Sequence, residues 1–146
     1  MWYNPPQPGG HFTGMSVMIN TRKSTQDILQ EEMLRERAAV LARAGEKLAA
    51  AQEKLLKIEA EISEALSLWR CRGDETNGAA PAEAEGAHRI LREINAKIRA
   101  YNRQRELVKT RYYYLIVTRE ALGLIHHQRL AEIYRIPPKK QCLPEP

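Results

Sequence analysis

The stretch LARAGEKLAAAQEKLLKIEAEISEALSLW, residues 41–69, decides the fold. It contains no proline, and Leu41, Leu48, Leu55, Ile62 and Trp69 recur at every seventh position. Ala44, Ala51, Ile58 and Ala65 follow at the companion core position three residues on. This spacing places both sets on one stripe of an α-helix, large residues at one core position and mostly small ones at the other. The ladder reaches back to Leu34 and Arg37. A single narrow apolar stripe is buried only against another helix, so the pattern demands a partner.

Upstream, Ser24 and Asp27 resemble a capping box with Asp in place of the usual Glu. Asp27, Glu31 and Glu32 add negative charge near the positive end of the helix dipole. Gly45 is the one weak position inside, at about 1 kcal/mol relative to Ala. The reading is one helix over 24–72. Before it, residues 1–23 are rich in Pro and Gly and show no period, which predicts a disordered tail with Trp2, Tyr3 and Phe12 exposed.

Downstream, residues 73–82 hold Gly73, Asp74, Asn77, Gly78 and Pro81, which read as a loop. A second ladder follows over 83–124. Ala87, Ile94, Tyr101, Val108, Leu115 and Leu122 fall seven apart, accompanied by Leu91, Ile98, Arg105, Tyr112 and Arg119. Two such helices across a short loop predict an all-α fold: an antiparallel helical hairpin, a two-stranded coiled coil. A loop centred near residue 78 pairs Ile62 with Ile94, Leu55 with Tyr101, Leu48 with Val108 and Leu41 with Leu115. Large residues then face small ones on the companion seam, which fills the layers. A slip of one heptad gives a nearly equivalent fit. Arg105 and Arg119 stand at core positions, and the expectation is that their stems lie along the seam with the heads outside.

Beyond Gly123 the period breaks. Leu130, Ile133 and Tyr134 have helical spacing before Pro137 and Pro138, so a short third helix is expected over 126–135, closing a hairpin domain of 24–136. Residues 137–146 read as a second tail.

The segment KTRYYYLIVTREALGLIHH, 109–127, is apolar on more than one face. Tyr112 and Leu115 point to the first helix. Leu107, Tyr114, Val117 and Leu124 form a second stripe on the other side, with Tyr113 beside it. Two helices alone cannot bury both stripes. Three covers are conceivable: the C-terminal helix folded back, a second copy of the chain, or a different protein. Tyrosines suit an interface because each ring is apolar with one polar end. Leu107, Tyr113, Tyr114, Val117 and Leu124 are therefore the candidate partner-binding residues.

Composition bounds the rest. The chain has 146 residues, 28% of them charged, and a formal net charge of +5. The first helix is slightly acidic and the second strongly basic, which suits a hairpin whose arms attract. Arg89, Arg92, Arg99 and Arg103 fall on the outer face of the second helix, and such a row is able to track a phosphate backbone. Nucleic acid is thus the alternative partner. Cys71 and Cys142 lie in no CxxC pattern, and the adjacent His126 and His127 diverge on a helix, so no metal site or disulfide framework is expected. No phosphate loop, nucleophile elbow or paired catalytic carboxylates occur, and no cofactor or small-molecule substrate is expected. YYYLIV is far shorter than a membrane span, and the N-terminus lacks a signal-peptide pattern, so a cytoplasmic location without membrane contact is expected. The resulting expectation is a non-enzymatic coiled-coil adaptor, chaperone or assembly protein.

Overall fold

The computed structural model describes residues 23–73 and 81–144. They form three helices, α1 (Thr25–Gly73), α2 (Pro81–Ala121) and α3 (Gln128–Ile133), with no strand among the described residues. The expected N-terminal tail, apart from Lys23, and the turn residues Asn77 and Gly78 lie outside that range.

The start of α1 follows from its first four residues. The Ser24 hydroxyl accepts the Asp27 amide at 3.1 Å, and the Asp27 carboxylate accepts the Ser24 amide at 3.0 Å. This reciprocal pair is the capping box, and it satisfies two amide donors that a helix start otherwise leaves without partners. The Ser24 hydroxyl also donates to Asp27 at 2.8 Å. These hydrogen bonds hold the Asp27 carboxyl below the ordinary aspartate value.

The two heptad ladders face each other. Leu48, Ala51, Leu55 and Ile62 of α1 form one buried cluster with Ile94, Ile98, Tyr101, Val108 and Leu115 of α2. Leu48 and Val108 are fully buried. Polar contacts across the arms settle the register. The Gln104 side chain donates to the Ala51 carbonyl at 2.9 Å, and Lys97 pairs with Glu61 at 3.0 Å. A loop centred near residue 78 puts Gln52 opposite 104 and Glu59 opposite 97, so the arms pair in that register, not in one slipped by a heptad. The Lys97 ammonium holds the Glu61 carboxyl below the ordinary glutamate value.

Helix α2 ends at Ala121, short of the expected 124, and the cause is local. Gly123 adopts a φ of +81°, which only glycine tolerates cheaply. The Leu124 amide then reaches back to the Arg119 carbonyl at 2.9 Å and the Gly123 amide to Glu120 at 2.9 Å, a Schellman closure. With α2 stopped there, the first turns of α1 have no described residue packed opposite them. Leu34, expected in the seam, is 63% exposed, and every described residue before Leu41 is exposed. The third helix is shorter than expected, has no buried residue, and leaves Ile133 exposed.

The largest departure concerns residues 137–146, read above as a tail. Residues 137–143 instead run back along α2 as an extended strap. Tyr134, Ile136 and Leu143 pack against the core cluster from outside the two long helices.

Candidate functional site

The strap is held by backbone recognition. Asn95, 1% exposed on α2, donates its amide to the Leu143 carbonyl at 3.0 Å and accepts the Leu143 amide at 2.8 Å. One α-helical heptad further along, Asn102 does the same to Lys140, donating at 2.8 Å and accepting at 3.0 Å. Each carboxamide thus satisfies the donor and the acceptor of one extended residue, as a neighbouring β-strand would. Arg105 Nε donates to the Pro137 carbonyl at 2.6 Å. Prolines keep this segment extended and remove amides that would otherwise need partners.

Charge pins the strap to both arms. Lys140 pairs with Glu59 of α1 at 2.8 Å and sits 4.9 Å from the centre of the Tyr101 ring. Glu59 raises the Lys140 ammonium above its ordinary pKa, while burial raises the Tyr101 phenol and keeps it neutral. Lys139 lies 3.3 Å from Glu106 and holds that carboxyl below its ordinary value.

Two arginines expected to snorkel therefore have other work. Arg105 grips the strap, and Arg119 Nη2 donates to the His126 carbonyl at 3.2 Å, tying down the turn after α2. Asn95 and Asn102 were not singled out from the sequence. Their seven-residue repeat beside core residues Ile94 and Tyr101, matched by Ile136 and Leu143 in the tail, is the signal that was available.

The strap occupies one flank of the hairpin, and this decides the fate of the second stripe. Leu107, Tyr114 and Val117 lie on the outer face of α2, turned from the seam, whereas Leu124, expected to extend that stripe, lies beyond the helix end, after left-handed Gly123. Nothing in the described chain covers them. Tyr113 and Tyr114 are 64% and 55% exposed, Leu107, Val117 and Leu124 each 41%. The tilted Tyr113 and Tyr114 rings stand 6.1 Å apart, ring centre to ring centre. The stripe meets an open groove between the arms, about 470 Å³, lined by Val40, Arg43, Ala44 and Lys47 of α1 and Arg111, Tyr114 and Thr118 of α2. A second groove of about 380 Å³ lies near the loop, between Leu68, Trp69, Ile90 and Ile94.

Arg89, Arg92, Arg99 and Arg103 are all exposed, and none enters an ion pair among the described residues. They continue the outer face of α2 toward the loop, so that face is basic at one end and apolar at the other. Cys71 and Cys142 are exposed free thiols. Among the described residues no three His, Cys, Asp or Glu side chains converge on a metal position, and no helix is long and apolar enough to cross a membrane.

No protein-family model, curated protein or solved structure matches the chain. The fold alone defines its class, an antiparallel α-helical hairpin with a short third helix, strapped by its own C-terminal segment.

Proposed function

We propose that this chain is a non-enzymatic binding hairpin, an adaptor or assembly protein that docks a protein surface on the back of α2. One observation carries the reading: Leu107, Tyr113, Tyr114, Val117 and Leu124 stay exposed although the described C-terminal segment packs along α2 at Asn95 and Asn102. A contiguous apolar patch beside a groove is a binding feature or an aggregation hazard. Aromatic rings with polar tips favour the first. The grooves are open to solvent, which suits a surface that receives another helix better than one that encloses a substrate. Two exposed free thiols suit a reducing, cytoplasmic setting.

Full-length chain carrying Tyr114→Asp or Val117→Asp tests this. Both residues are exposed, so helicity by circular dichroism is expected to be unchanged. Self-association by light scattering, or photo-crosslinking from position 113 to a partner, is expected to be lost. If neither variant alters either readout, the reading is wrong. The row Arg89, Arg92, Arg99 and Arg103, in no ion pair among the described residues, supports a second reading, a phosphate-backbone ligand. Binding of a nucleic-acid duplex that falls steeply with salt, and that Glu substitutions in the row abolish, would favour it instead.

A further inference from the structure

The open end of the hairpin carries two surfaces of opposite character. One is the groove described above. Its floor is Val40, Ala44 and Tyr114, and its rim is Arg43, Lys47 and Arg111. No carboxylate lines it, and these three cations enter no ion pair among the described residues. Three acids of this end pair elsewhere: Glu106 with Arg105 and Lys139, Glu120 with His127, Glu31 with Lys23.

The other surface is the first part of α1, which projects past the end of α2. It exposes Ile28, Leu29, Met33 and Leu34 beside Asp27, Glu32 and Glu36. Leu29, Met33 and Glu36 lie on the same helical face as Val40, Arg43 and Lys47, because the spacing alternates between four and three residues. That face is acidic and apolar in its first half, apolar and basic in its second. A helix patterned this way is complementary to itself when turned end for end.

We propose that two copies of this chain pair through their open ends, antiparallel about a two-fold axis near Ala38, each seating its Leu29–Met33–Glu36 face in the groove of the other. The inference rests on the binding-hairpin reading and names the partner. In this pairing Met33 lies opposite the Arg43 stem and Leu29 opposite the Lys47 stem, with Glu32 between the two cations. Glu36 and Val40 stand nearest the axis on this face, so each Glu36 lies across from Val40 of the other copy and one turn from its Arg43. The interface is isologous and closed, so it makes a dimer and not a fibre. A second copy covers the groove and the Leu29 and Met33 face of the overhang at once. An unrelated acidic helix in the groove leaves the apolar overhang bare, and a nucleic acid brings phosphates up to the glutamates of the overhang.

Charge reversal tests it on the full chain. The wild type is expected to show a two-chain mass by light scattering at micromolar concentration, with association weakening as salt rises. Arg43→Glu with Lys47→Glu makes both surfaces acidic. Glu32→Lys with Glu36→Lys makes both basic. All four positions are exposed, so unchanged helicity is the folding control. Each double variant alone is expected to associate about tenfold more weakly or worse, from like charges set against each other. An equimolar mixture of the two is expected to regain a two-chain species, because each now offers what the other lacks. A wild type that stays at one-chain mass overturns the proposal, as does a mixture that stays monomeric while the wild type dimerises. Dimers that survive both charge reversals but are lost in Tyr114→Asp overturn this geometry and leave the binding-hairpin reading standing.

Discussion

Ser24 and Asp27 show how one short side chain sets the start of a long helix. Their reciprocal hydrogen bonds stabilise the ionised carboxylate, so the Asp27 carboxyl is held below its ordinary value of 3.8. A depressed carboxyl contributes stability that is fully present above the unfolded value and is lost as pH falls through the folded one. The first turn of α1 is therefore expected to fray in acid below about pH 3.8, before the core opens. Ser24→Ala is expected to bring the Asp27 titration back toward the ordinary value and to shift that fraying to higher pH. A carboxyl NMR titration of both chains checks this. An Asp27 midpoint that does not move in the variant contradicts the capping assignment.

The strap is an element without secondary structure, held by two asparagines and two lysines. Asn95 is the more consequential asparagine because it is buried. Its replacement by Ala leaves the Leu143 amide and carbonyl to find water, at about 1–3 kcal/mol for each group left without a partner. Asn95→Ala with Asn102→Ala is expected to release residues 134–143 while α1 and α2 stay paired. Hydrogen exchange reads this directly: the Leu143 and Lys140 amides lose protection and those around Val108 keep theirs. Global unfolding in the double variant would show instead that the strap is inseparable from the core. Acid and base loosen the strap from opposite directions. Glu106, depressed by Lys139, contributes above the ordinary 4.5 and is lost as pH falls through its lower folded value. Lys140, raised by Glu59, contributes below the ordinary 10.5 and is lost as pH rises through its higher folded value. Tail protection is therefore expected to be broad across neutral pH and to fail at both extremes.

As a whole molecule the hairpin is a thin rod, with α1 of 49 residues extending roughly 70 Å at the helical rise. Its core is a single seam from Leu41 and Leu115 to Trp69 and Ile90, so stability is concentrated in a few layers. Leu48→Ala removes a fully buried side chain and is expected to cost about 2–5 kcal/mol. Equilibrium urea unfolding measures this. A loss below 1 kcal/mol would mean the layer around Leu48 and Val108 collapses to fill the space, contrary to the close packing seen there. The equivalent truncation of Leu34, exposed beyond the end of α2, is expected to leave monomer stability nearly unchanged.

Register was legible only to within one heptad, because a repeat looks the same after a slip of seven, and the contacts of Gln104 and Lys97 across the arms chose between the two. Helical period and the N-terminal cap were legible in the residues because each is a local rule: a seven-residue ladder, and Ser24 before Asp27. The two-faced character of the segment around Tyr114 was legible for the same reason, since helical spacing assigns faces without knowledge of what lies opposite. What covers those faces was not legible. The strap meets α2 through residues separated by 48 positions for Asn95 and Leu143 and by 38 for Asn102 and Lys140. Its main hydrogen bonds run to backbone amides and carbonyls, which every residue but proline carries alike. A contact made to the main chain leaves little trace in the side chains of the segment that is bound. Chain order dictated the two arms and, to within one heptad, their alignment. Only the closed hairpin, by bringing Asn95, Asn102, Arg105 and Glu59 around one extended path, decided that the tail is a strap and that the apolar back of α2 stays open.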